Sequence, residues 1–399
     1  MIQFFRLQYM LLLGAVLSLC ACSNDDDKSD SKPFDAKKYA LVDLHLHLNG
    51  SLSPEEVIEM CKMDGRTDVP DDPAEVLKMI SCPETVESLA EYLQCTKLPS
   101  SVNQTREALI YSVSSIIKRL DKDGLIYIEL RYAPSHHLKK TLTTQEEAVL
   151  AGIEGLEKGL RESTNGIKAN LILCCMRNDP EDMNRETVRL AKKYLGKGVC
   201  AIDLAGDEAA YPTENFRSLF AYAKELGVPF TIHAGEAAGV ESMKAAISFG
   251  TSRIGHGVRA AHDAETKALL KQYDICLTNC PTSNRQTKAL DISSYAEYPL
   301  PYFLQDGVAV AISTDNMTIS NTTVEKEFQK LYDGGILNTK DAETLVMNAI
   351  DHAFISQAEK EELKAKARQR MKRTKPSSLL IWPCISCRPG YRRHCRVLY

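Results

Sequence analysis

The sequence predicts an α/β protein, a (β/α)8 TIM barrel with a helical insertion after the first strand and extra helices at its C-terminal end. Three observations carry that prediction. Short runs rich in apolar and β-branched residues recur eight times, segments with apolar residues three and four apart lie between them, and the series spans residues 40–314. Strands alternating with helices favour a parallel sheet with covered faces, and eight such units close a barrel.

Taken in order, the predicted strands are 40–47 (ALVDLHLH), 125–133 (LIYIELRYA), 168–176 (KANLILCCM), 199–205 (VCAIDLA), 229–234 (PFTIHA), 252–256 (SRIGH), 274–279 (DICLTN) and 308–314 (VAVAIST). The intervening PEDMNRETVRLAKKYLG, TENFRSLFAYAKELG and AETKALLKQY have helical spacing and stop near a glycine or just before the next strand. Residues 53–122 form an unusually long link between the first two strands, with helical patterns in PEEVIEMCKM, ETVESLAEYLQ and TREALIYSVSSIIKRLDKDG. Such an insert predicts a lid, which excludes water from a pocket. Beyond the last strand, NTKDAETLVMNAIDHAFISQAEKEELKAKARQRMKR predicts two closing helices.

A chain of 399 residues, 44% hydrophobic and 26% charged, buries a large core. Its net charge of -4 gives no basic field, so nucleic acid is not an expected partner and small substrates or proteins are. At the N-terminus Arg6 precedes LLLGAVLSL, too short for a permanent span but suited to a signal peptide. Leu19-Cys20-Ala21-Cys22 resembles a bacterial lipobox, so residues 1–22 are expected to be a lipoprotein signal. Cys22 is then the lipid anchor, and residues 23–37 an acidic tether. The expected location is exported, anchored to a bacterial outer membrane and facing the periplasm or cell surface. The barrel should run from 38 to 372. Residues 373–399, with the only tryptophan, three cysteines and a basic balance, predict a disordered tail or a translated frameshift; Cys384-x-x-Cys387 with His394-Cys395 is an atypical zinc spacing. Of the thirteen cysteines, Cys174, Cys175, Cys200 and Cys276 lie in apolar runs where cysteine acts as a small hydrophobe, and no regular disulfide framework is legible.

In a barrel of this kind, reactive groups gather where strands end and βα loops begin. The first predicted strand ends in His45 and His47, two apart and therefore on one face. The fourth runs into DLAGDE with Gly206, the fifth into HAGE with His233 and Glu236, the sixth into GHG with His256, and the eighth into STDN with Asp315 and Asn316. A single histidine at a strand end is more often a hydrogen-bonded core residue; four of them and an aspartate at one barrel mouth point to a metal. His45, His47, His233 and Asp315 offer three imidazoles and a carboxylate, a set that suits one Zn2+ and leaves a position for water. His256 is then spare to orient that water and take its proton. Glu236, if its pKa is raised near apolar surface, donates a proton to a ring nitrogen; its alternative is a salt-bridged loop residue.

The runs LVDLHLHLNGSL, IELRYAP, LILCCMR, AIDLAGDE, TIHAGE, RIGHG, CPTSN and ISTDN, in that order, resemble the adenosine deaminases of the metal-dependent amidohydrolase superfamily. The resemblance implies zinc held by His45, His47, His233 and Asp315, with Glu236 protonating purine N1. It also implies His256 and Asp315 orienting the hydroxide that attacks C6. On the binding side it implies His47 in contact with substrate, Asn49 toward the sugar, the Gly206 N–H at N3 and Asn316 at N7. The reaction implied is hydrolytic deamination of adenosine and 2′-deoxyadenosine. Asn49 stands where many members have aspartate, and HLNGS is similar to a branch that acts on N6-modified nucleotides. Deamination of adenine or of such a nucleotide is therefore the alternative, and a non-catalytic nucleoside-binding lipoprotein the second. The His-x-Glu with Pro-Cys-x-x-Cys of cytidine-type deaminases is absent.

Overall fold

The computed structural model describes residues 34–84, 86 and 89–374. The expected signal peptide, Cys22, most of the tether and residues 375–399 lie outside the described residues. Contacts divide the chain into Met1–Asp35 and Ala36–Tyr399, and the second unit carries the fold. Among the described residues no helix is long and apolar enough to cross a membrane.

Eight parallel strands follow one another in order: β1 (Val42–His47), β2 (Tyr127–Tyr132), β3 (Lys168–Met176), β4 (Val199–Ala205), β5 (Phe230–Ala234), β6 (Arg253–His256), β7 (Cys276–Asn279) and β8 (Val310–Ile312). All eight lie within the predicted runs, and β3 and β4 have the predicted ends. Helices cover the outer face and side chains fill the inside, which is why β2, β4 and β5 are buried throughout instead of alternating. Leu46 bridges Asp315 in parallel, joining β1 to the segment after β8. That seam is held by the His47 N–H on the Asp315 carbonyl at 2.7 Å and the Asp315 N–H on the His45 carbonyl at 2.8 Å.

The insert after β1 contains α1 (Pro54–Met63), α2 (Pro73–Ile80), α3 (Leu89–Tyr92), α4 (Lys97–Val102) and α5 (Arg106–Lys122). Ser53 and Glu56 form a capping box that starts α1, and the Asp72 and Thr105 side chains cap α2 and α5. In the segment ETVESLAEYLQ, expected to be helical, Leu89–Tyr92 is α-helix and the chain continues as a 3-10 turn, Leu93–Thr96. Val86 and Tyr92 are buried with Cys82 and Ile319, and the Cys82 N–H donates to the Ile319 carbonyl at 2.7 Å. The insert is thus docked on the loop after β8.

At the other end, the helices Thr339–Asp351 and Gln357–Thr374 close the unit as predicted. The turn between them is tied to the barrel by a buried charge cluster. Glu129 on β2 pairs with Arg253 on β6 and accepts the Phe354 N–H at 2.7 Å. The Arg253 guanidinium stacks 4.1 Å from the Phe354 ring centre. All eight cysteines among the described residues are free.

Candidate active site

Each predicted site residue comes from the C-terminal end of its strand, so the βα loops carry them to one mouth. His45 and His47 leave β1, Gly206 follows β4, His233 lies on β5 with Glu236 in its loop, His256 ends β6, and Asp315 and Asn316 follow β8. Asn49 lies in a 3-10 turn after β1. All but His45 line one cavity, together with Arg131 and Tyr132 of β2.

His45, His47, His233 and Asp315 each offer one ligand atom, and those atoms lie within 4.8 Å of one another. The Nε2 atoms of His45 and His233 are 3.0 Å apart, and those of His47 and His233 are 3.2 Å apart. The Asp315 Oδ1 atom is 3.5 Å from His45 Nε2 and 3.3 Å from His47 Nε2. The other ring nitrogens decide the tautomers. His233 Nδ1 lies 3.0 Å from the Asp203 carboxylate, an acceptor only, so Nδ1 carries a proton and, in the neutral ring, Nε2 is bare. His45 Nδ1 meets Thr278 Oγ1 at 3.0 Å, and that hydroxyl gives its own proton to the Ile254 carbonyl, so His45 Nε2 is also bare. Two unprotonated nitrogens at this distance repel each other unless a cation sits between them. The donor set therefore fits a metal ion, with outer partners fixing ring orientation as metal histidines require.

Electrostatics agree with this arrangement. Burial, reinforced by Arg131 and the neighbouring histidines, drives the His45 pKa well below its ordinary value. Burial lowers His47 to about 3. Both rings are neutral, as ligation demands. Burial works to raise the Asp203 and Asp315 carboxyls, but neighbouring groups outweigh it and hold both below the usual range: His233 and Arg131 for Asp203, and His47, His256 and Ser283 for Asp315. Arg131 donates to Asp203 at 2.9 Å, and Ser283 Oγ donates to Asp315 Oδ2 at 2.6 Å.

Glu236 behaves oppositely. Burial, then the charge of Asp315, pushes its pKa up to about 8, so it holds a proton at neutral pH. Its oxygens lie 3.4 Å from His256 Nε2 and 3.3 Å from Thr287 Oγ1. The loop beneath it is fixed by Glu208, whose carboxylate accepts the backbone N–H groups of Gly235, Glu236, Ala237 and Ala238 at 2.7–3.0 Å. The Asn284 amide fixes the His256 ring: its oxygen accepts from the Tyr298 hydroxyl at 3.0 Å, which leaves its nitrogen to donate to His256 Nδ1 at 2.9 Å. His256 therefore presents an Nε2–H to the cavity.

Two main-chain strains and two glycines complete the site. His256 and Asp315 have left-handed φ of 61° and 62°, a conformation non-glycine residues hold only when their surroundings impose it. Gly206 has φ 107°, which a side chain rarely adopts. Gly50 is required by proximity, since a Cβ there would fall 1.8 Å from Asn316 Oδ1. Asn49 is tied to the insert, donating to Ser100 Oγ at 3.2 Å and accepting from Asn103 at 2.9 Å.

Sequence reasoning did not single out Asp203, Glu208, Thr278, Ser283, Asn284 or Tyr92. Asp203 had a signal, a carboxylate in the otherwise apolar VCAIDLA, and Ser283 and Asn284 stand in CPTSN; Tyr92 had none.

Comparison with known proteins agrees with this geometry. The adenosine deaminase family model matches residues 40–369. An adenosine deaminase of Haemophilus ducreyi is 46% identical over 338 residues, covering 84% of this chain and 97% of that protein. Among solved structures, an adenine deaminase from Arthrobacter aurescens superposes with a TM-score of 0.75 at 24% identity, covering 84% of this chain and 99% of that one. An Arabidopsis N6-mAMP deaminase does so with a TM-score of 0.72 at 24% identity, covering 84% and 99%. At that identity the two structures bear on the fold alone. The family match and the close relative, over a barrel whose mouth holds the metal-ligand cluster, place this chain in the adenosine deaminase family.

Proposed function

We propose that this protein deaminates adenosine and 2′-deoxyadenosine hydrolytically, giving inosine, 2′-deoxyinosine and ammonia, with one zinc ion per chain. The observation that carries the reading is the pairing of two opposed groups at one barrel mouth. Neutral imidazoles and an ionised Asp315 converge on a cation site, and a protonated Glu236 stands beside them. Nitrogen and oxygen donors in this number suit zinc.

His45, His47, His233 and Asp315 hold the ion. A bound zinc supplies Lewis acidity, which makes a nucleophilic water available at neutral pH. Asp315 and His256 orient the attacking water toward C6. Glu236 gives its proton to purine N1, drawing electron density away from C6 as the water oxygen bonds there. The C6–N bond then breaks, one of the two protons that the water loses going to the departing amino group as ammonia and the other back to Glu236. The Gly206 N–H meets N3, Asn316 donates to N7, and His47 and Asn49 face the sugar. A catalytic role explains Glu236 and His256, which a protein that only bound nucleosides would not need.

The H. ducreyi relative favours the nucleoside, whereas Asn49 in the HLNGS run is what favours an N6-modified nucleotide. A 5′-phosphate calls for a free cation. Among the described residues, Arg131 is the one arginine or lysine lining the cavity, and it is bound to Asp203. His136 at the mouth is paired with Asp179. That electrostatic lining supports an uncharged sugar end. Ammonia release from adenosine, deoxyadenosine, AMP, N6-methyl-AMP and adenine, with and without chelator, tests the reading; release from AMP but not adenosine overturns it.

The N-terminal residues support a second, separate reading: export as a lipoprotein acylated on Cys22. Incorporation of labelled palmitate by the full chain in a Gram-negative host, abolished in Cys22→Ala, is the expected result. Equal labelling of both forms sinks it.

A further inference from the structure

The loop that carries Glu236, residues 235–239 between β5 and the helix Val240–Phe249, reads Gly-Glu-Ala-Ala-Gly. Glu236 apart, it has no side chain larger than a methyl group with which to grip the barrel. The Glu236 carboxyl itself makes long contacts, 3.3 Å to Thr287 Oγ1 and 3.4 Å to His256 Nε2. Contacts of that length hold an acid in place weakly.

The main chain is held far better. Gly235 has φ 72°, and a left-handed residue at this point turns the amides that follow toward a common centre. The Glu208 carboxylate fills that centre. Its Oε1 accepts from the Gly235 N–H at 2.7 Å, and its Oε2 from the N–H groups of Glu236, Ala237 and Ala238 at 3.0, 2.8 and 3.0 Å. Concavities of this kind ordinarily take up a free anion; here the anion is a buried side chain from the loop after β4. The Ser242 hydroxyl, in the first turn of the following helix, is a fifth donor to Glu208. With its proton given to Glu208, Ser242 accepts from Thr213 Oγ1, 2.7 Å away, and Thr213 accepts from Arg177 Nη2 at 2.9 Å. The same nitrogen donates to the His233 carbonyl at 2.7 Å. A continuous line of buried hydrogen bonds thus joins a metal-ligand residue to the loop of the acid.

We propose that Glu208 is a positioning residue for deamination: its carboxylate gathers the loop amides and so sets the Glu236 carboxyl at purine N1. The inference rests on the reading above that Glu236 gives a proton to N1. It places control of the acid in the loop of a neighbouring strand, and not in the side-chain contacts of Glu236.

Steady-state ammonia release from adenosine by the zinc-loaded full chain tests it, in the wild type, Glu208→Gln, Glu236→Gln and the double variant, with zinc content measured on each. Glutamine keeps the shape but has one accepting oxygen, so its NH2 must face either Gly235 or the three amides that follow. Displacing the acid by about 1 Å should lower kcat about 10- to 100-fold with zinc retained and KM within about twofold. In the Glu236→Gln background the same substitution should cost less than about twofold, because residues acting as a unit are not additive. A purely structural role would lower activity in both backgrounds alike. If Glu208→Gln does not fold, Ser242→Ala, which leaves the four N–H contacts in place, should lower kcat up to about tenfold in the wild type and less than about twofold beside Glu236→Gln. An unchanged kcat, a rise in KM alone, or an equal loss in both backgrounds overturns the role of Glu208 and leaves that of Glu236 standing. Full turnover by Glu236→Gln overturns the reading of the acid, and this inference with it.

Discussion

Replacing Asp203 with asparagine turns one buried carboxylate oxygen into an N–H donor of the same shape, and both of its neighbours are donors. Asp203 is fully buried, accepts from Arg131 at 2.9 Å and from His233 Nδ1 at 3.0 Å. An amide can offer its oxygen to one of them only. If the oxygen serves Arg131, the NH2 group faces His233 Nδ1 and pulls the ring into the tautomer protonated on Nε2, where a metal ligand must be bare. If it serves His233, the guanidinium meets another donor. Losing an outer partner of this kind costs about 10- to 100-fold in metal affinity, or roughly 1.4–2.7 kcal/mol. Leaving Arg131 without its counter-charge costs a further 3–5 kcal/mol or so of folding stability. Against a total of about 5–15 kcal/mol, that is a large fraction. Zinc competition against a chromophoric chelator and urea unfolding of the metal-free protein measure the two separately. A variant that binds zinc as tightly as the wild type and unfolds at the same urea concentration would refute the tautomer argument and the buried-pair argument together.

Other consequences can be measured directly. Glu236→Gln should retain zinc and lose about 10²- to 10⁴-fold in turnover, whereas His233→Ala should lose both; equal metal loss in the two undoes the assignment of roles. In the metal-free protein, Glu236 binds its proton more tightly folded than unfolded, since its folded pKa is about 8 against an ordinary 4.5. Its contribution to stability is therefore complete below pH 4.5 and lost as pH rises to 8. Wild type minus Glu236→Gln stability should fall across that window, and parallel profiles would contradict the raised pKa. Gly50→Ala should displace Asn316, whose Oδ1 would be 1.8 Å from the new methyl, and raise KM for adenosine with zinc binding unchanged; an unaltered KM would show that Asn316 does not contact substrate.

Much of this protein was legible from residue order alone, because barrel architecture converts position along the chain into position in space. The two-residue period of β1 puts His45 and His47 on one side, and parallel strands deliver His233, His256 and Asp315 to the same rim. Local patterns also marked the closing helices and the start of the insert. What pairs across large separations was not legible. Asp203 reaches His233 from 30 residues away, Ser283 reaches Asp315 from 32, and Tyr92 reaches Ser320 from 228. Nor did periodicity foresee that Cys82, Val86 and Tyr92 would dock on Ile319 in the loop after β8. Ligand identity depends on side-chain type and strand direction, both local. Proton position, pKa and amide orientation depend on which groups the folded chain buries together, and only tertiary contact decides that.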